Sequence, residues 1–253
     1  MASVTRYFMF LSFRGTAYNG WQLQPHKHTV QGIINNALST LLSEPINVTG
    51  AGRTDTGVHA SFFCAHFDTR RDDLDADKQF LFNINGFLPS DIAISGFRKV
   101  KPEANARFDA ISRTYQYTIA TLKDPFLADT SWLLYWKLDI PKLNEASAIL
   151  LKHSDFTSFS RLHGGNKTNI CKVMKASWEQ QPGKLIFTIQ ADRFLRNMVR
   201  AITGTLVPVG TGKVTLDQFE EILNGRNRGL AGQSAPAQGL SLTGIEYPDS
   251  VFI

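Results

Sequence analysis

The clearest periodic pattern in the chain is an amphipathic helix between Thr29 and Ser43. Apolar residues recur there at helical spacing, at Val30, Ile33, Ile34, Ala37, Leu38, Leu41 and Leu42. Thr29 can cap the first turn, and Pro45 follows the end. We predict a helix whose apolar face belongs to the core, and we assign it no chemistry.

Four further segments show weaker helical patterns, at Asp75–Phe87, Pro141–Lys152, Arg193–Leu206 and Thr215–Leu223. In the last of these, Thr215 and Gln218 stand at the spacing of a capping box, and Gly225 follows the end. The third carries a basic stripe at Arg193, Arg196 and Arg200. On most helices such a stripe is a solvated face.

Apolar and β-branched runs between these helices predict strands. They lie at Thr5–Phe13, Pro45–Thr49, Ser61–Phe67, Ile92–Arg98, Arg113–Ala120, near Val173–Met174 and at Lys184–Ala191. Trp132–Leu138 either extends the sheet or lines a loop, and Ala235–Leu242 turns into a last strand. The alternation of strands and helices predicts an α+β fold.

The best candidate for a domain boundary is Lys99–Asn105, which is polar, contains a proline and lacks periodicity. We therefore predict two halves, residues 1–104 and 105–253. Each half alternates strands and helices about one sheet, which is a weak architectural repeat.

Composition places the chain among ordinary globular proteins. Hydrophobic residues make up 43%, so disorder is not expected. Lys and Arg outnumber Asp and Glu by 27 to 22, and the pI is about 9.2. This surplus permits binding to nucleic acid without establishing it.

Cysteine usage and the N-terminus bear on location and metal binding. The two cysteines, Cys64 and Cys171, lack the spacing of a disulfide framework or a zinc site, and we expect buried, reduced thiols. His26 and His28 have no acidic residue or cysteine at ligand spacing, so no metal site is predicted. The start lacks a signal-peptide pattern, and no run is long enough to span a membrane. We expect a cytoplasmic protein.

The most informative stretch for chemistry is the glycine-rich loop from Gly50 to Ala60. It joins two predicted strands and presents Arg53, Asp55 and His59 within a few residues. Taken alone, these residues fit equally well a hairpin turn in which the aspartate caps its own backbone.

Other catalytic templates fail. Gly210–Val214 is close to a phosphate-binding P-loop, but Val207 replaces the first glycine and Val214 the metal-binding hydroxyl. No nucleophile-elbow motif occurs, so Ser-His-Asp chemistry has no support.

Five ordered motifs resemble those of the tRNA pseudouridine synthase A (TruA) family along nearly the whole chain. The Gly52–Ala60 string matches the family's catalytic motif. The other four are Tyr18–Gln22, Arg107–Tyr115, Phe194–Arg200 and Ala235–Leu242. The Tyr18–Gln22 loop carries two aromatic side chains that look exposed and are either core anchors or stacking platforms.

The resemblance implies a fold and an activity. The fold would consist of two ferredoxin-like halves forming a pseudouridine-synthase fold with a central basic cleft, usually in a homodimer. The activity would be that of an isomerase converting uridines at positions 38–40 of the tRNA anticodon arm to pseudouridine. The reaction breaks the N1–C1′ bond and joins C5 to C1′ without adding or losing atoms, so no cofactor or metal is required.

The resemblance also assigns roles to five residues. Asp55 would be the catalytic carboxylate, and Arg200 would pair with it, since guanidinium binds carboxylate bidentately and favours its ionised form. Arg53 would take the place of the flipped base, at an unstacking cost of roughly a few kcal/mol. Tyr115 would stack on the uracil and assist proton removal at C5. Leu242 would contribute an apolar wall beside the base.

The sequence alone leaves several alternatives open. The chain could be a non-catalytic RNA-binding protein on the same scaffold, or a synthase acting on another RNA. Asp55 could attack the sugar or remove its 2′ proton. The basic segment Arg161–Thr168 could touch phosphates or be a solvated loop.

Overall fold

The computed structural model describes residues 4–161 and 167–253. Its contacts divide the chain into two compact units, Met1–Ile111 together with Leu242–Ile253, and Ser112–Ser241. The sequence predicts a single boundary, between residues 104 and 105. The observed division falls seven residues later, and it groups the C-terminal segment with the first unit.

The mixed α+β fold contains nine strands and five α-helices in the described residues. The strands are β1 Thr5–Phe13, β2 Thr49–Gly50, β3 His59–Thr69, β4 Ile92–Val100, β5 Ser112–Ala120, β6 Trp132–Leu133, β7 Val173–Gln181, β8 Lys184–Ala191 and β9 Leu240–Glu246. The helices are α1 Val30–Leu42, α2 Lys78–Phe87, α3 Ile140–Leu150, α4 Met198–Gly210 and α5 Leu216–Asn224. No helix of this described part is long and apolar enough to cross a membrane.

The sheet of the first unit runs in the order β4-β1-β3-β9, and β2 also pairs with β3, at Ala65 and His66. β1 is antiparallel to both neighbours, so Phe8 stands opposite His66 on one side and Arg98 on the other. Both faces of β1 are apolar, and Tyr7, Phe8 and Met9 are fully buried in succession.

The helices of the first unit confirm the patterns that predicted them. Thr29 caps α1 by accepting a hydrogen bond from the Gly32 amide at 3.3 Å. Asp77 caps α2 by accepting from the Phe80 amide at 2.8 Å, so α2 begins three residues later than predicted.

The predicted strand at Pro45–Thr49 is wrong, because only Thr49 and Gly50 pair with β3. Side chains of α1 take the place of a partner strand. Ser39 accepts a hydrogen bond from the Ile46 amide at 2.9 Å, and Asn35 accepts from the Val48 amide at 2.9 Å. The segment is therefore fastened to the helix instead of extending the sheet.

The second unit has a sheet in which β8 lies between β5 and β7, both antiparallel to it. Only Trp132 and Leu133 of the Trp132–Leu138 run join this sheet, as β6, parallel to β5. α3 packs on β7 and against α4. The predicted capping box of α5 is confirmed by reciprocal hydrogen bonds between Thr215 and Gln218.

The predicted helix from Arg193 is wrong in its first turn. α4 begins at Met198, after Asn197 adopts a left-handed conformation with φ 66°. Asp192 holds the preceding segment by accepting hydrogen bonds from the amides of Lys172 at 2.8 Å and Arg193 at 2.7 Å. Because the first two arginines precede the helix, the basic stripe does not form.

Cys64 and Cys171 are buried and unpaired, as predicted. Burial raises the pKa of each thiol to about 12. The prediction that the Arg161–Thr168 segment touches phosphates or is a solvated loop falls mostly outside the described residues, which resume at Lys167.

Candidate active site

The glycine-rich loop joins β2 to β3 in the first unit. Thr54 is buried, Asp55 is half-buried and Arg53 is exposed. The carbonyl oxygen of Asp55 accepts a hydrogen bond from the Val58 amide at 3.1 Å, which closes a turn immediately after the aspartate. The backbone that carries Asp55 is thus fixed by its own turn.

A second segment, Gly15–Trp21, lies against this loop. Its first residue is a glycine because the backbone of the loop comes very close to it. A Cβ atom at Gly15 would overlap the carbonyl oxygen of Val58. The Gly15 amide also donates a hydrogen bond to Nδ1 of His59 at 2.9 Å. Only glycine permits the two backbones to come this close.

Gly20 makes a similar contact on the other side of Asp55. It has φ 83°, and a Cβ atom there would overlap the carbonyl oxygen of Thr54. That carbonyl accepts a hydrogen bond from the Trp21 amide at 3.4 Å, and the Gly57 amide donates to the Tyr18 carbonyl at 3.4 Å. The loop is therefore held on both sides of the aspartate.

Trp21 forms the base of this arrangement. Its side chain is 1% exposed, and its ring centroid lies 4.2 Å from that of Phe63 in β3. A Cβ atom at Gly50 would overlap the indole ring. Tyr18 is also buried, so the interpretation of both aromatics as core anchors is confirmed and their apparent exposure is wrong.

Thr54 carries an unusual feature for a buried side chain. It is 8% exposed, and its hydroxyl oxygen has no hydrogen-bond partner in the structure. An unsatisfied buried hydroxyl costs about 1–3 kcal/mol. The Thr54 hydroxyl therefore destabilises the loop, whereas the Thr54 carbonyl helps to hold it.

A cavity of about 510 Å³ opens beside Tyr18 and His28, and neither Asp55 nor Arg53 lines it. The Tyr18 hydroxyl donates to Asp91 at 2.6 Å, and its ring stacks on His28 at 4.9 Å. Burial, followed by the bond to Asp91, raises the pKa of Tyr18.

The second unit holds Tyr115 and Arg200. Tyr115 is half-buried in β5, and its ring meets the ring of Phe194 edge-on with centroids 5.1 Å apart. Arg200 lies in the first turn of α4, where its Nε donates to the Ala235 carbonyl at 2.8 Å. The Ala235 amide donates in return to the Arg200 carbonyl at 2.9 Å.

Tyr117 supports the Ala235–Leu242 segment and was missed by the sequence analysis. Its hydroxyl donates to the Pro236 carbonyl at 2.8 Å, and Gly239 lies close against its ring. The sequence could have indicated Tyr117 through its position two residues after Tyr115, because alternate residues of a strand lie on the same face. Leu242 itself is buried in β9.

The structure thus brings Arg200 together with Ala235, and Asp55 together with the Gly15–Trp21 segment. The pairing of Asp55 with Arg200, the central basic cleft and the roles of Arg53, Tyr115 and Leu242 stay predictions. No cluster of His, Cys, Asp or Glu suited to a metal ion occurs among residues 4–161 and 167–253.

Comparison with known proteins identifies the family. A family model described as tRNA pseudouridine synthase matches residues 146–248. A Bacteroides fragilis protein named tRNA pseudouridine synthase A is 51% identical over 99% of this chain and 99% of its own length. A Porphyromonas gingivalis protein of that name is 46% identical over 99% of this chain and its own full length.

A more distant relative carries the same name. A Neisseria meningitidis serogroup C protein is 35% identical over 98% of this chain and 94% of its own length. Similarity at this level over nearly the entire length covers all five motifs. The chain belongs to the tRNA pseudouridine synthase A family.

Proposed function

We propose that this chain isomerises uridine to pseudouridine in tRNA, with Asp55 as its catalytic carboxylate. The observation that supports this proposal most is the backbone around Asp55, which is held by Gly15, Gly20 and Trp21 through close contacts and hydrogen bonds. A reacting group must be held within a fraction of an ångström of its productive position. A carboxylate on so constrained a loop meets that requirement.

The chemistry needs one carboxylate and no added group. Asp55 attacks C1′, or removes the 2′ proton, and the N1–C1′ bond breaks with its electron pair leaving on the uracil. The uracil turns and C5 bonds to C1′, which on the first route breaks the bond between Asp55 and C1′ and on the second is accompanied by return of the proton to C2′. The proton at C5 then leaves, and N1 is protonated. The atoms of the nucleoside are conserved.

The other predicted residues take supporting roles in this proposal. Arg200 stabilises the ionised Asp55, as a guanidinium does for a carboxylate. Arg53, which is exposed, occupies the space of the flipped base. Tyr115 stacks on the uracil and assists proton loss at C5, and Leu242 forms an apolar wall beside the base.

We further propose that the substrate region is the anticodon arm, at positions 38–40, and that the enzyme acts as a cytoplasmic homodimer. Affinity then depends on contacts to phosphates. Log affinity should fall linearly with log salt, by about 0.9 per phosphate contacted in a duplex. An isolated anticodon stem-loop should bind more weakly than whole tRNA.

The test of the catalytic proposal measures tritium released from C5 of uracil in labelled tRNA. Asp55→Asn should abolish release while keeping tRNA affinity. Asp72→Asn makes the same charge change at an exposed position outside the loop and should release tritium normally. Near-normal release by Asp55→Asn would overturn the assignment. Mapping that finds pseudouridine only in another RNA would overturn the choice of tRNA.

A further inference from the structure

The chain between β4 and β5 is irregular but firmly attached to the first unit. Ala104 and Ala106 are buried there at 2% and 0% exposure. Arg6 donates to the Ala104 carbonyl at 3.0 Å. The Ala106 amide donates to His66 at 3.1 Å, and the Ala106 carbonyl accepts from Tyr247 at 2.6 Å. Side chains from β1, from β3 and from Tyr247, which directly follows β9, therefore hold three consecutive peptide groups.

A hydrogen-bonded turn follows at Asn105–Asp109, and it begins between Ala104 and Ala106. The Asn105 side chain accepts from the amides of Arg107 at 2.9 Å and Phe108 at 3.2 Å. Asp109 accepts from the Asn105 amide at 2.7 Å and donates its own amide to the Asn105 carbonyl at 3.0 Å. Four hydrogen bonds within five residues leave the backbone of this turn little freedom.

The rigid turn presents an aromatic and a cationic side chain to solvent. Phe108 is 76% exposed, and the guanidinium carbon of Arg107 lies 5.5 Å from its ring centroid. A phenylalanine in this position contributes little to the core. The hydrogen-bonded turn thus holds its backbone in a conformation that leaves both side chains exposed.

An aromatic face beside a guanidinium on a fixed support suits an unstacked nucleobase. Bases in single-stranded RNA stack on Phe, Tyr and Trp, and arginine can contact the neighbouring phosphate or stack in turn. A polyanion also matches the net charge of +5. We propose that Phe108 and Arg107 form an RNA-binding subsite in which Phe108 stacks on an unpaired base of the substrate.

This proposal rests on the proposed function, because the RNA concerned is its substrate. It concerns binding and not the isomerisation itself. Along the chain, two residues separate the end of the turn at Asp109 from the start of β5 at Ser112.

The experiment compares tRNA binding by four variants. Phe108→Ala should raise the Kd for tRNA roughly 5- to 100-fold, the range that loss of one base–aromatic stack produces. Phe108→Trp should restore the affinity and Phe108→Leu should not, since stacking needs a ring. Phe82→Ala is the matched control, because Phe82 is 74% exposed on α2, and its Kd should equal that of the unchanged chain.

Two readouts separate the outcomes. The melting temperature of Phe108→Ala should be unchanged, and tritium release at saturating tRNA should stay within about twofold of normal. If Phe108→Leu binds as well as the unchanged chain, or Phe108→Ala loses no affinity, the subsite is refuted. If light scattering shows that Phe108→Ala loses a subunit, the surface contacts a second copy instead. Absence of tritium release by the unchanged chain would refute the proposed function and leave the binding test intact.

Discussion

The amide of Gly15 donates a hydrogen bond to Nδ1 of His59 at 2.9 Å, across 44 positions of sequence. This bond joins the first loop of the chain to the end of the Asp55 loop. It requires Nδ1 to be unprotonated, which leaves the proton of a neutral imidazole on Nε2. This bond and the close approach of Gly15 to Val58 make the position of the Asp55 loop depend on the Gly15–Trp21 segment, to which no catalytic role is assigned.

Gly15→Ala should therefore disturb both stability and activity. The added methyl group would overlap the Val58 carbonyl, and overpacking of this kind costs about 1–3 kcal/mol of unfolding free energy. Tritium release should fall as well, because the loop that carries Asp55 must shift. Gly52→Ala is the control within the same loop, since a Cβ atom there meets nothing within 4 Å. Equal denaturation midpoints for the two variants would contradict this account.

Thr54→Val should raise the unfolding free energy by about 1–3 kcal/mol, because it replaces an unsatisfied buried hydroxyl with a methyl group of similar shape. The matched control is Thr203→Val, which removes a buried hydroxyl that donates to the Val199 carbonyl at 2.9 Å. That variant should lose about 0.5–1.5 kcal/mol. Chemical denaturation measures both, and a loss of stability in Thr54→Val would show that its hydroxyl has a partner.

Much of the fold follows from local sequence patterns. The ends of β1 and β8 and the caps of α1 and α5 agree with prediction, because periodicity and capping residues act over a few positions. The failures at Pro45–Thr49 and Arg193 have non-local causes. Side chains of α1 satisfy the first segment, and Asp192 holds the second to Lys172, twenty positions away.

The site divides in the same way. The sequence motif singled out Asp55, but only the three-dimensional structure reveals why Gly15, Gly20 and Gly50 are glycines, since each lacks a side chain where another segment approaches. The structure was also needed to place the two aromatic residues of the Tyr18–Gln22 loop. Tyr18 and Trp21 look exposed in a polar loop, but both are buried, since Trp21 packs on Phe63 of β3 and Tyr18 stacks on His28.

His66 should make stability depend on pH. Burial, followed by the charge of Arg6, lowers the pKa of His66 from its ordinary value of 6.5. The unfolded chain then binds a proton more readily than the folded one, so stability present above pH 6.5 is lost as pH falls through the folded-state pKa. The slope contributed is at most about 1.4 kcal/mol per pH unit.

His66→Gln removes this titration and keeps a hydrogen-bond acceptor for the Ala106 amide. Its unfolding free energy, measured by denaturant titration between pH 7.5 and 5, should fall less steeply than that of the unchanged chain. Identical slopes would mean that another group carries the pH dependence.

If Arg200 pairs with Asp55 as proposed, Arg200→Ala should reduce kcat by roughly 100-fold or more while changing tRNA affinity little, because an ionised carboxylate that loses its cation is strongly disfavoured. The variant also loses the bond to Ala235. Arg200→Lys keeps the charge without the planar fork and should recover part of the rate. Single-turnover kinetics with tRNA binding in parallel distinguish the two effects. A rate near normal in Arg200→Ala would exclude the pairing with Asp55.

The first unit is discontinuous in sequence, and this determines when it can be completed during synthesis. Phe252 pairs with Val100 and lies under the Arg98 guanidinium at 3.8 Å, and Tyr247 holds Ala106. These contacts use residues that are synthesised after all of Ser112–Ser241. Ser112–Ser241 is one uninterrupted stretch and can fold as soon as it emerges. The unit that is translated first is therefore the one that closes last, and a chain truncated before Leu242 would lack the strand and the tail that seal its sheet.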